Sequence, residues 1–258
     1  MTDTLNVTLI QSRLSWREPA ANREHLEQHI RAAGESDLYV LPEAFTTGFL
    51  GETLETDEDM AGETVGWMRS LAAETGAALA GSAAIADDVG RRNRFMLVEP
   101  SGALHLYDKR HLFGFAGEDT RYAAGTERVV FEYRGWRICP QICYDLRFPV
   151  WCRVRDDYDL LLLVANWPAR RVDAWDALLL ARAIENQAYV VAVNRVGEDG
   201  NGHLYPGHSA VYGPLGEAVL APQSDESAWT VTLDLATVRQ VREDFPFARE
   251  ADPFEITG

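Results

Sequence analysis

Lysine is nearly missing from this sequence. Lysine and arginine together number 24, and Lys109 is the single lysine. Cysteine is scarce too. Cys139, Cys143 and Cys152 make an odd count and no disulfide framework. The most apolar run, "DLLLLVANWP", is too short to span a bilayer. The opening "MTDTLNVTLI" lacks the basic region and long apolar stretch of a secretion signal. These absences point to a cytoplasmic protein with free thiols. Positive charge is also in deficit, with 40 acidic residues and a formal net charge of -16. That argues against nucleic acid, which basic patches bind, and against an anionic membrane surface. An acidic, lysine-poor surface suits a salty cytoplasm; a stability optimum at low salt would exclude this habitat.

What is present fits one domain over residues 1–258, with chain enough for a large core. No linker, low-complexity tract or solenoid repeat interrupts it. Strand patterns at residues 5–14, 37–43, 77–86, 92–100 and 103–109 alternate with helical patterns at 18–34 and 63–76. Two more strands flank Arg134 and Gly135, a short helix covers 146–157, and strands at 158–168 and 188–197 enclose a helix at 173–187. The segments "GHSAVYGPLGEAVLAP" and "AWTVTLDL" read as a closing hairpin before a last helix at 236–244. Strand–helix alternation mixed with hairpins predicts an α/β fold with mixed sheets.

"DLYVLPE" and "DLLLLVANWP" share a plan, an Asp, an apolar strand and then Pro. In α/β proteins ligand groups gather at the C-terminal ends of such strands. Glu43 stands at the first end, Asn166 and Trp167 at the second, and Cys143 at a third, after "WRICPQI". Glu43 lies among apolar neighbours in "VLPEAF" and needs a partner there. The lone lysine is the obvious one, because a compact ammonium enters a pocket that a guanidinium would overfill. Glu118, in "GFAGED", reads on its own as part of an exposed acidic loop. Cys139 reads as a structural cysteine. The three cysteines match no zinc spacing. His25 and His29 sit four apart but lack the metalloprotease glutamate. "GHSAV" around Ser209 lacks the second glycine of a nucleophile elbow. A cysteine–histidine pairing through His111, His203 or His208 stays open, since no context singles one out.

Taken together and in order, "LPEAFTTGF", "YDKRHLFGFAGE" and "PQICYDLRFP" resemble the nitrilase, or carbon–nitrogen hydrolase, superfamily and its Glu–Lys–Cys triad. Residues 164–214 look like its ω-amidase branch, and the likeness runs from about Val7 to Phe245. The resemblance implies a four-layer α-β-β-α sandwich, dimerised through the helical layer, that needs no metal or other cofactor. It implies Glu43 as general base, Lys109 as triad lysine and Cys143 as nucleophile. Glu118 matches a second glutamate beside the triad. Gly114 and Phe115 depart from the pattern, where bulkier, more polar residues are expected.

The implied reaction hydrolyses the terminal carboxamide of a short dicarboxylate monoamide, such as 2-oxoglutaramate, through a cysteine thioester. The Lys109 ammonium and the Tyr144 backbone N–H would hold the oxyanion. Phe49 would wall the pocket. Arg147, Arg170, Arg171 and Arg195 are candidates to clamp the far carboxylate. The alternatives are a nitrilase or N-carbamoyl amino acid hydrolase of the same superfamily, or a non-catalytic binding protein on this fold.

Overall fold

In the stretch 160–165, "LLLLVA", every residue is buried, yet the six split by parity. Leu160, Leu162 and Val164 enter one core, while Leu161, Leu163 and Ala165 enter another. Side chains alternate across a strand, so a strand apolar on both faces must lie between two layers. Residues 189–193 repeat the split, with Tyr189, Val191 and Val193 facing the first core and Val190 and Ala192 the second.

The structure is a computed structural model that describes residues 3–49, 58–88 and 90–256. Its elements are β1 (Thr4–Gln11), α1 (Pro19–Ala33), β2 (Leu38–Val40), α2 (Glu63–Thr75), β3 (Ala78–Asp87), β4 (Gly90–Val98), β5 (Leu104–Asp108), β6 (Phe131–Tyr133) and β7 (Trp136–Ile142). There follow α3 (Pro149–Cys152), β8 (Leu160–Ala165), α4 (Val172–Asn186), β9 (Tyr189–Asn194), β10 (Val196–Glu198), β11 (Leu204–Pro206), β12 (Ser209–Tyr212), β13 (Ala218–Gln223), β14 (Ser227–Asp234) and α5 (Leu235–Asp244). One six-stranded sheet has the order β14-β1-β2-β3-β4-β5 and the other β13-β12-β9-β8-β7-β6. Both are mixed: β1, β2 and β3 run parallel, as do β7, β8 and β9, and the outer pairings are antiparallel.

Three buried clusters define four layers. Leu5, Val7, Val40 and Phe95 of the first sheet meet Ile138, Leu162 and Val191 of the second. Leu26 and Ile30 of α1, with Met68 and Leu71 of α2, pack on the outer face of the first sheet, against Tyr39, Leu79 and Met96. Trp175, Leu179 and Ala183 of α4 pack on the outer face of the second, against Leu161, Val190 and Ala210. Each such Leu, Ile or Val side chain contributes roughly 1.5–3 kcal/mol when fully buried.

The Arg134–Gly135 turn is as read: both residues have positive φ, 51° and 84°, which a two-residue hairpin of the primed type needs. The closing hairpin requires a correction. β12 and β13 do form a hairpin, but β14 leaves it and pairs along its whole length with β1 in the other sheet. Thr230 facing Thr8 and Val231 facing Val7 make that register. Local alternation shows a strand and not its partner, and this pairing spans more than 200 residues of chain.

Candidate active site

Both sheets send chain ends to one place. Glu43 lies just past β2, Lys109 just past β5, Cys143 just past β7 and Asn166 just past β8. Strands β2 and β5 run the same way, because β3 is parallel to β2 and the antiparallel β4 separates β3 from β5. Glu43 and Lys109 therefore leave the first sheet at one edge. Cys143 leaves the second sheet in a sharp turn, with φ of 46°, a conformation few non-glycine residues adopt. The turn is braced from inside. The Ile142 N–H donates to Asp145 Oδ2 at 3.0 Å, and Tyr107 Oη donates to the same oxygen at 2.8 Å. Arg182 of α4 donates to the Leu146 carbonyl at 2.7 Å.

Lys109 and Glu43 are buried together, with Nζ 2.8 Å from Oε1. Lys109 Nζ also donates to Glu118 Oε1 and Oε2 at 3.1 and 3.0 Å. The exposed-loop reading of Glu118 is thereby corrected: the residue is 0% exposed, and Phe113 N–H donates to its Oε2 at 2.6 Å. Glu43 is fixed from the other sheet as well. The Asn166 N–H donates to its Oε2 at 2.8 Å, and Asn166 Nδ2 to its backbone carbonyl at 2.6 Å. The Phe49 ring lies 5.5 Å from Lys109 Nζ.

Burial alone would lower the pKa of Lys109, but Glu118 and Glu43 outweigh it and hold the ammonium charged. Burial also raises the Glu118 carboxyl, and Lys109 only partly restrains that. The Cys143 thiol is pushed well up by burial and then by Glu43, with Lys109 pulling the other way. The same causes favour the protonated thiol over the thiolate at Cys143.

Cys143 opens into a cavity of about 440 Å³. Glu43, Lys109, Tyr144, Phe49, Asn166 and Trp167 line it, as do Arg147, Arg170 and Arg171. Among the described residues none of these three arginines has a carboxylate partner. Arg147 lies over the Trp167 ring at 5.0 Å, and Arg171 over Phe113 at 4.8 Å. Glu118 and Arg195 do not line the cavity. Arg195 is fully buried and spends itself on backbone carbonyls, those of Leu14 and Glu198 at 3.0 and 3.1 Å, with its guanidinium over Tyr205. Its place is behind the wall, not at a substrate.

No histidine pairs with Cys143 among the described residues. His111, His203 and His208 each hydrogen-bond an aspartate instead, Asp145, Asp199 and Asp176. Cys139 and Cys152 are buried and free. His25, His29 and Glu226 could present ligand atoms within 4.8 Å of one another. They lie apart from the cavity, and Arg13 already donates to both Glu226 oxygens.

The sequence of residues 6–243 matches the family model described as carbon-nitrogen hydrolase. The chain belongs to the carbon–nitrogen hydrolase family. It is 47% identical over 253 residues to "Omega-amidase YafV" of Escherichia coli K12, covering 98% of each chain. It is 32% identical to a Bacillus subtilis "2-oxoglutaramate amidase", over 93% of this chain and 95% of that one. A crystal structure of XC1258 from Xanthomonas campestris, a member of the same superfamily with an arsenic adduct in its active site, superposes with a TM-score of 0.96. The two chains are 46% identical, with 98% and 99% covered. The four-layer architecture agrees with that family.

One residue in this family member was not picked out from its sequence. Asn93 of β4 is buried, and its Nδ2 donates to Glu43 Oε1 and to Glu118 Oε1 at 2.8 and 3.1 Å. It stands between Arg92 and Arg94 in "RNRFML", the polar half of the strand, so nothing in the local sequence marked it.

Proposed function

We propose that the protein is a cysteine amidase that hydrolyses the terminal carboxamide of short dicarboxylate monoamides, with 2-oxoglutaramate as the type substrate. One observation carries the reading. A buried Glu–Lys pair and a free thiol line a cavity that also holds three arginines with no acidic partner among the described residues. An amide carbon at Cys143 leaves the far carboxylate of such a substrate for those arginines. The names of the relatives support the same substrate class.

The steps follow from the groups present. Glu43 takes the Cys143 proton as sulfur attacks the amide carbon. The oxyanion is held by the Lys109 ammonium and the Tyr144 backbone N–H. Glu43 returns the proton to the departing nitrogen, ammonia leaves, and a thioester remains. Glu43 then activates water, which releases the acid and the thiol. Glu118 lies behind Lys109, so its part is to hold the ammonium in place rather than to activate water.

The reading extends to the chain as one domain over residues 1–258 and to a reducing cytoplasm, where Cys139 and Cys152 stay free. It also extends to a homodimer through the α4 layer. Val150, Ile184 and Leu215 are each about half exposed there, and light scattering on the purified protein checks the mass. Among the described residues no helix is long and apolar enough to cross a membrane. The deciding experiment measures ammonia release from a panel of ω-amides, nitriles and N-carbamoyl amino acids, with Cys143→Ala as the blank. Turnover confined to nitriles or carbamoyl compounds overturns the substrate assignment.

A further inference from the structure

Two buried carboxylates share one ammonium in this site. Glu43 Oε1 and Glu118 Oε1 each accept a hydrogen bond from Lys109 Nζ, at 2.8 and 3.1 Å. The same two oxygens each accept one from Asn93 Nδ2, at 2.8 and 3.1 Å. The ammonium and the amide therefore bridge one pair of oxygens in a closed ring of two donors and two acceptors. The Asn93 backbone carbonyl also accepts the Lys109 N–H at 3.0 Å. One residue of β4 thus touches all three groups.

The orientation of that amide is informative. Asn93 Oδ1 is buried and has no hydrogen-bond partner among the described residues. A buried acceptor left empty is unfavourable. Turning the amide over would aim that oxygen at two carboxylates, which is worse, so the donor end is fixed by what it faces.

We propose that Asn93 is a positioning residue, whose neutral amide lets Glu43 and Glu118 sit side by side around a single lysine. A second cation there would compete with Lys109 for both glutamates. An apolar residue would leave the carboxylates with one donor fewer each. This inference rests on the amidase reading for its kinetic arm only.

The titratable groups facing one another are Glu43, Glu118, Lys109 and Cys143, with Arg171 and Tyr205 farther along the cavity. Removing the amide takes one hydrogen bond from the charged form of each carboxylate. A carboxylate that keeps its proton cannot take one from Cys143, so the pH above which Cys143 becomes reactive should rise. Asn93→Leu, Asn93→Ala and Asn93→Asp are compared with wild type, each checked for fold by circular dichroism. One readout is the pH profile of Cys143 alkylation by iodoacetamide, which needs no substrate. The other is kcat and KM for 2-oxoglutaramate. We expect the acid limb of both profiles to move to higher pH in Asn93→Leu and Asn93→Ala. We expect kcat to fall by about 10-fold or more, the scale of one lost hydrogen bond to a charged group, with KM little changed. Asn93→Asp, which replaces the donor with a third acceptor, should lose more than Asn93→Ala at neutral pH. A folded Asn93→Leu or Asn93→Ala with the wild-type acid limb overturns the proposal. So does failure of all three variants to fold, which makes Asn93 purely structural. Wild-type inactivity on every amide would sink the substrate reading alone, since alkylation still tests Asn93.

Discussion

The Lys109 ammonium and the Glu43 carboxylate lie 2.8 Å apart, at 1% and 0% side-chain exposure. Moving two charges out of water costs several kcal/mol per ion, and an apolar pair of similar volume is often as stable. Stability alone therefore does not account for this pair. It sets a charged donor and a carboxylate beside a thiol at the wall of the cavity.

Lys109→Arg tests the pair most directly. The substitution keeps the charge and introduces the residue this chain uses for every other non-histidine base. Lys109 is enclosed by Glu43, Glu118 and the Phe49 ring, and a planar guanidinium is too broad for that space. We expect a folded protein with kcat lowered on the order of 100-fold or more, the scale of one lost oxyanion donor. Near-wild-type turnover in a folded variant would refute the mechanism.

Glu118→Gln separates two ways in which a second glutamate could act. Glu118 contacts Lys109 and does not line the cavity. The variant should lower kcat by about 10-fold or more and leave KM nearly unchanged. Rapid-quench mass spectrometry should show slow acylation, not a build-up of thioester. A thioester accumulating on Cys143 would mean that Glu118 serves the water step instead.

The reasons why parts of this site were legible in sequence and parts were not are physical. Glu43, Lys109 and Cys143 stand beside strand ends, which apolar runs and Pro42 mark locally, and their flanks match a family pattern. Glu118 depended on that pattern alone, since "GFAGED" carries no sign that its first carboxylate turns inward. Arg195 misled because a buried arginine that bonds carbonyls through Nε and Nη2 looks, in sequence, like one awaiting an anion. The pairing of β14 with β1 and the reach of Asn93 to two glutamates both depend on contacts between distant segments. Asn93 and Glu43 are 50 residues apart. No local spacing encodes such contacts.

The three cysteines should part company on substitution. Cys143→Ala should abolish turnover and keep the fold. Cys139→Ala should stay active, since its thiol is fully buried in the core between the second sheet and α4. Cys152→Ala should also stay active, with some loss of stability, because its sulfur packs 3.4 Å from the Asp145 carbonyl under the Cys143 turn. Ammonia release and thermal melting on the three variants check this. A dead Cys152→Ala beside an active Cys143→Ala would move the nucleophile.

Acid stability should depend on Glu226. Burial raises its carboxyl, but hydrogen bonds from His25 and Arg13 prevail and bring it down from 4.5 to about 2. A depressed carboxylate stabilises the fold fully above its unfolded pKa and loses that contribution as pH falls toward the folded one. The window is thus from 4.5 down to about 2. Glu226→Gln should cost on the order of 1 kcal/mol at neutral pH, a small figure because Arg13 is 72% exposed. Urea unfolding should show that gap closing across the window. A gap that is constant with pH would assign the effect to packing.

Substrate choice should reside in Arg147, Arg170 and Arg171. All three line the cavity, but they are not equivalent. Arg147 and Arg171 are fixed over the Trp167 and Phe113 rings, so their guanidinium planes are already ordered before an anion arrives. Burial and then the neighbouring Arg170 lower the pKa of Arg171, so a carboxylate there would relieve both strains at once. Arg171→Ala should therefore raise KM for 2-oxoglutaramate by about 10-fold or more, the worth of a hydrogen bond to a charged group. Turnover of a simple amide without a carboxylate should change little, because the triad is untouched. Arg170→Ala should act more weakly, since among the described residues no aromatic ring stacks on its guanidinium. Parallel kinetics on the two substrates give the answer. An equal loss on both would show that Arg171 supports the fold of the cavity and leaves the substrate carboxylate to another group.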